Sequence, residues 1–212
     1  GKPVSLCGKY ALRERIPQEK RLLKLLFENY EDLFGADNPY KNYRRHLASL
    51  RKHLDVTETK MTVGRFSTID PKTVPTECGR RHRKAFLNES IGKQGGDRHP
   101  DDADRVECRR RFLEAAATNS LKATVVHTND LVTDAARAVS TADRLYVDGQ
   151  ARAHIEHVRS CLGNGGDTTL GKLLPVCDVS GSMHGEPLNA AIGLSLISAH
   201  LAHPSFAGRV LT

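Results

Sequence analysis

The sequence predicts an α + α/β protein, with an N-terminal helical, repeat-like domain followed by the first β-α-β unit of an α/β domain. Three observations carry this expectation. Up to about residue 162, apolar residues recur at three- and four-residue spacing, the period of a helix. A glycine-rich stretch, Gly163 to Gly171, then interrupts the pattern. Beyond it the period changes to a short apolar run, a loop of small residues and one long apolar segment. The expected division is therefore a helical domain over 1–162, a linker over 163–171 and the start of an α/β domain over 172–212.

The helical part reads in order. Leu22, Leu23, Leu25, Leu26, Tyr30 and Leu33 predict a helix over 18–34, which Gly35 and Pro39 end. Tyr43, Leu47, Leu50 and Leu54 form the apolar stripe of a second helix over 40–56. Residues 57–76 are broken by Gly64, Pro71 and Pro75. Pro75 is placed to open a helix from Thr76 to Leu87. Residues 92–104 read as an exposed polar loop, and helices are expected over 105–118, 133–142 and 150–161.

In the second part, Lys172 to Asp178 is a mostly apolar run after Gly171, as expected of a buried parallel strand. Pro187 then opens a helix running to Ala202, apolar nearly all round, so both of its faces need cover. His203-Pro204 ends it, and Arg209 to Thr212 begins a second strand. Strand, helix and strand in this order make a βαβ unit.

Bulk composition sets the class. Of 212 residues, 39% are apolar and 27% charged, as in ordinary soluble globular proteins. No apolar run reaches the roughly 18 residues needed to span a bilayer. No signal peptide is visible, although the sequence opens on Gly1 rather than Met. Cys7, Cys78, Cys108, Cys161 and Cys177 are scattered, with no CxxC pair. That argues against a disulfide framework or zinc site and for a reducing compartment. An intracellular location follows, cytoplasmic or in the mitochondrial matrix.

Charge is unevenly placed. The net charge is +7, but residues 40–84 alone hold twelve Lys or Arg against four acids. Arg44, Arg45, Arg51 and Lys52 lie off the apolar stripe of the second helix, and Arg80, Arg81, Arg83 and Lys84 form one run with His82. Five consecutive positions exceed a helical turn, so the charge would encircle the helix and resist burial without an anionic partner. A concentrated basic face is the footprint of a polyanion such as RNA. The plainer alternative is a solvated helix surface.

One loop carries metal chemistry. Asp178, Ser180 and Ser182 alternate after the strand, with Gly181 between the serines to permit a sharp turn. This is the strand end at which open α/β sheets bind ligands. A carboxylate and two hydroxyls are hard oxygen donors suited to Mg²⁺. The alternative is a plain strand-to-helix turn in which Ser180 or Ser182 caps the helix. His154 and His157, three apart, lack a nearby third ligand. No nucleophile elbow, phosphate loop or paired-carboxylate pattern is present, so no enzyme is expected.

The run Leu174 to Met183, with Gly185, Pro187 and the helix to Leu201, resembles the start of a von Willebrand factor A half, a Rossmann-like fold with a metal-ion-dependent adhesion-site loop. It looks like that half of a domain-of-unknown-function family of plants, protists, fungi and giant viruses. Upstream, Tyr43-Arg44-Arg45, Leu50-Arg51-Lys52, Leu54-Asp55-Val56, Lys60-Met61, Val74-Pro75 and Lys84 to Leu87 follow the same family's order. In architecture that family is similar to the TROVE proteins, which include the Ro autoantigen and join an RNA-binding helical ring to an A domain. The resemblance implies RNA binding by the helical half. It also implies a metal site completed by a threonine and an aspartate from later loops. The sequence stops at Thr212, before them, so the rest of a longer protein or a partner is expected to complete the sheet and the Mg²⁺ site.

The expected function is thus a non-catalytic RNA-binding component of a ribonucleoprotein assembly, such as a mitochondrial ribosome, with other proteins of that assembly as partners and no membrane. The alternative is a protein-interaction module in which a partner's acidic side chain completes the metal coordination at Asp178, Ser180 and Ser182.

Overall fold

A computed structural model of the chain describes residues 11–90, 96–122, 126–163 and 169–212. Ten α-helices are described: α1 (Pro17–Asn29), α2 (Glu31–Phe34), α3 (Pro39–His53), α4 (Thr57–Thr62), α5 (Thr76–Arg81), α6 (Arg83–Phe86), α7 (Ala103–Ala117), α8 (Thr128–Arg137), α9 (Thr141–Leu162) and α10 (Glu186–Leu201). They fall into two compact units, one ending at Arg65 and one beginning at Phe66.

The first unit holds α1 to α4. Pro17 opens α1, and Tyr30 leaves helical geometry at φ −132° and ψ 45°, so the helix expected over 18–34 is two. Gly35, at φ 71°, closes α2, and the Asn42 side chain donates to the Phe34 carbonyl at 2.7 Å. The core is aromatic. Phe27 meets Phe34, Tyr40 and Tyr43 edge-on, with ring centroids 5.4, 4.8 and 5.7 Å apart. Leu23 and Leu47 complete it. Of the stripe expected on the first helix, Leu22, Leu25, Tyr30 and Leu33 are exposed instead. The reason is geometric: Leu23 and Phe27, one turn apart, with Leu26 beside them, sit on the side that packs with α3.

The second unit is built on α7 and α9. Asp102 caps α7 by accepting from the amides of Asp104 and Arg105, and Ser140 caps α9 by accepting from the Asp143 amide. That cap starts α9 at residue 141 and sets the boundaries expected at 133–142 and 150–161 to 128–137 and 141–162. Phe86 stacks on Phe112 with centroids 4.5 Å apart, and the buried Tyr146 lies beside them. At Gly149 the two long helices nearly touch; an added Cβ would stand 2.8 Å from Ala116 backbone.

The helix expected from Thr76 to Leu87 is also divided. His82, at φ −104° and ψ 12°, separates α5 from α6. The charge therefore does not encircle one continuous helix. Arg83 turns inward onto Asp143, with side chains only 9% and 2% exposed, and reaches Asp134 at 3.4 Å. Arg80 meets Asp134 at 2.6 Å, Asp130 at 2.9 Å and Glu77 at 2.8 Å.

Residues 172–212 belong to this same unit. The helix α10 packs on α8 and α9. Asn129 donates to Glu186 at 3.0 Å and Asn189 to Thr133 at 3.0 Å. An apolar helix needs cover, and α8 supplies it where Gly193 lies against Thr128. Much of the expected linker, 164–168, lies outside the described residues, as do 92–95 of the expected polar loop. The two expected strands are described as one parallel bridge between Val176 and Leu211. Cys177 N–H donates to the Leu211 carbonyl at 2.7 Å, and Leu211 N–H to the Pro175 carbonyl at 3.0 Å.

Asp143→Ala leaves the Arg83 guanidinium buried and short of its closest counter-charge. The expected loss is about 3–5 kcal/mol of stability, read as a lower urea midpoint by far-ultraviolet circular dichroism. An unchanged midpoint would show that Asp134 alone suffices.

Candidate functional site

The expected RNA-contacting residues separate into two groups. The first is on α3, which carries Lys41, Arg44, Arg45, Arg51 and Lys52 and no acid along its length. Tyr43 and Leu47 point into the core, and Tyr43 donates to the Leu12 carbonyl at 3.1 Å. At 100° per residue, Lys41, Arg45 and Lys52 fall within about 40° of each other, on the side opposite that buried pair. All three are exposed. Arg44 pairs with Glu14 at 2.7 Å. Lys41, Arg45, Arg51 and Lys52 form no ion pair among the described residues. Arg51 is half-buried.

The second group, Arg80 to Lys84, is differently used. Burial pulls the Arg80 pKa down, but Asp134, Asp130 and Glu77 outweigh it and hold the guanidinium firmly charged. Arg80 and Arg83 thus find their anionic partners inside the fold. Arg81 is exposed but pairs with Glu77 at 2.7 Å, and Lys84 is half-buried. The run is therefore mainly an internal clamp and not an open basic face. The acids that absorb it on α8, Asp130 and Asp134, stand four apart and so share one helix face.

The Asp178 loop forms as a single 3₁₀ turn, Gly181–Met183, ahead of α10. The Ser180 amide donates to Asp178 Oδ1 at 2.8 Å, and the Ser180 and Ser182 hydroxyl oxygens stand 3.2 Å apart. The structure therefore brings the three expected ligands together, and all are exposed. Adjacent ligands of octahedral Mg²⁺ are about 3.0 Å apart, from metal–oxygen distances of about 2.1 Å. The 3.2 Å between the two hydroxyl oxygens is near that edge length, so Ser180 and Ser182, with the Asp178 carboxylate, would be the residues to hold such an ion. Among the described residues no group of three or more His, Cys, Asp or Glu could hold a metal. The Ser180 hydroxyl and amide hold the Asp178 carboxyl below the ordinary carboxylate range.

Comparisons with known proteins bear on the same segment. Residues 172–212 match a family model described as a domain of unknown function, DUF7788. Over 211 residues, 99% of the chain, the sequence is 27% identical to the uncharacterized protein L728 of Acanthamoeba polyphaga mimivirus. The chain spans 35% of that relative's length. No solved structure matches. Among the described residues no helix is long and apolar enough to cross a membrane.

The loop geometry has a direct titration consequence. As pH falls through the lowered Asp178 pKa, the carboxylate takes a proton and its bonds from Ser180 weaken. Carboxyl-detected NMR should place the Asp178 midpoint below that of an ordinary aspartate, and Ser180→Ala should raise it. Identical midpoints in both proteins would show that the turn does not form in solution.

Proposed function

We propose that the chain is a non-catalytic RNA-binding component of a ribonucleoprotein assembly and meets RNA phosphates through α3. The observation that carries this reading is the outer face of α3. Lys41, Arg45 and Lys52 are exposed, aligned and free of carboxylate partners among the described residues. Cations held this way keep their donors for phosphate, and each phosphate contact releases condensed counterions. No aromatic side chain lies on that face, since Tyr43 is buried and Tyr40 partly so. Recognition would therefore be of backbone and shape rather than by base stacking. A TROVE-like architecture, which we infer from the order of the sequence motifs alone, would serve the same function. Arg80 and Arg83 drop out of the contact set, because α8 and α9 already neutralise them.

Filter binding of a structured RNA hairpin tests this. Lys41→Glu with Arg45→Glu and Lys52→Glu should weaken binding at least tenfold and lower the salt slope by roughly 2. Unchanged affinity in this triple variant, with its fold intact by circular dichroism, would sink the proposal. Arg80→Glu with Arg83→Glu should instead unfold the second unit.

A second reading draws on the Asp178 loop. In it Asp178, Ser180 and Ser182 hold Mg²⁺, in the manner of an adhesion-site loop of a von Willebrand factor A domain, and an acidic side chain of a protein partner completes the coordination. Three adjacent exposed oxygen donors favour it. Calorimetric titration with Mg²⁺ should show saturable heat that Asp178→Ala removes. Equal heats from the two proteins would count against it.

A further inference from the structure

A cavity of about 390 Å³ lies among α8, α9 and α10. Small-molecule sites run from roughly 300 to 1,000 Å³ and combine apolar walls with few polar groups. The walls here include Val132, Val147, Ile155, Leu196 and Ile197. One side is held tight, because Gly193 brings α10 against α8; a Cβ there would stand 2.9 Å from the Thr128 carbonyl oxygen.

Two charged side chains line this cavity, Arg144 and Asp148, and they are not equally occupied. Asp148 pairs with Arg152 at 3.1 Å. Arg144 spends only its Nε, on the Ala138 carbonyl at a long 3.4 Å. Its two terminal nitrogens meet no acceptor among the described residues. The contrast with Arg80 and Arg83 is plain, since both are paired with aspartates in the same unit. An exposed guanidinium with unused donors therefore borders an apolar cavity whose own carboxylate is already paired with Arg152. A guanidinium's planar fork matches a carboxylate in two parallel bonds.

We propose that this cavity binds a medium-chain carboxylate, with its tail among α8, α9 and α10 and its head on Arg144. The tail gains by leaving water, at about 0.8 kcal/mol per buried methylene. The head stays at the solvent edge, so its charge is not stranded. This site is independent of the RNA reading, because α3 belongs to the other unit.

Calorimetry of the whole chain with decanoate, below its micelle concentration, is the test. One saturating site is expected. Arg144→Gln should weaken it at least tenfold and Arg144→Lys should recover part of the loss. Decanol, with the same tail and no charge, should bind at least tenfold more weakly than decanoate. Arg144 is exposed, so these variants should keep the native circular dichroism spectrum. Ala151→Phe, which fills the cavity, should abolish binding. Absence of saturable heat overturns the proposal. So does equal binding of decanoate and decanol, or of the native chain and Arg144→Gln. Gel filtration showing a dimer that excludes decanoate would overturn it too, and would give the cavity to a second copy.

Discussion

The second unit depends on a charge constraint. Arg83 is buried beside Asp143 and within reach of Asp134, and Arg80 extends the same cluster to Asp130 and Glu77. Desolvating such ions is costly, and their mutual attraction offsets that cost only while every partner is in place. The cluster therefore fixes four helices at once. The short α5–α6 pair is tied to α8 through Asp130 and Asp134, and to α9 through Asp143. Without these ties, a six-residue and a four-residue helix have too few turns to persist. The broken helix at His82 is part of the arrangement, because it lets Arg80 and Arg83 reach a common set of acids.

That constraint passes outward to the Asp178 loop. Asp130 and Asp134 hold one face of α8, and the other elements of α8 meet α10 through Asn129 and Thr133. The helix α10 in turn carries the loop at its N-terminal end. Beyond it the described residues offer the Val176–Leu211 bridge, and both residues are largely exposed, at 74% and 53%. Two short strands bury little by themselves. The loop's shape therefore rests on its own hydrogen bonds and on α10 more than on a sheet.

Legibility differed between the two candidate surfaces for a physical reason. On α3, side-chain direction follows from helical period, so the stripe of Tyr43 and Leu47 was readable from spacing; of the cations expected off it, Arg45 and Lys52 lie opposite the stripe with Lys41, whereas Arg44 is paired with Glu14 and Arg51 is half-buried. The Asp178 loop was readable as well, because its donors alternate within five residues. The run from Arg80 to Lys84 was not. Its positive charge was plain, but the acids that absorb it lie on α8 and α9, 46 to 63 residues further along the sequence. Local pattern carries no information on such pairing. The stripe on α1 failed in the same way. Leucines at several phases fit a helix equally well, and only contact with α3 selected Leu23, Leu26 and Phe27.

The sequence by itself determined a largely helical chain, the order of its main helices, the basic face of α3 and the oxygen-rich loop before α10. Each follows from period, turn chemistry or residues close in sequence. Tertiary structure alone decided that the chain divides at Arg65 and that residues 172–212 pack with α8 and α9. It also decided that Arg80 and Arg83 are internal counter-ions while Arg144 keeps unused donors beside an apolar cavity. Those outcomes depend on which distant acids and helix faces come within a few ångströms, and burial is what makes such neighbours decisive.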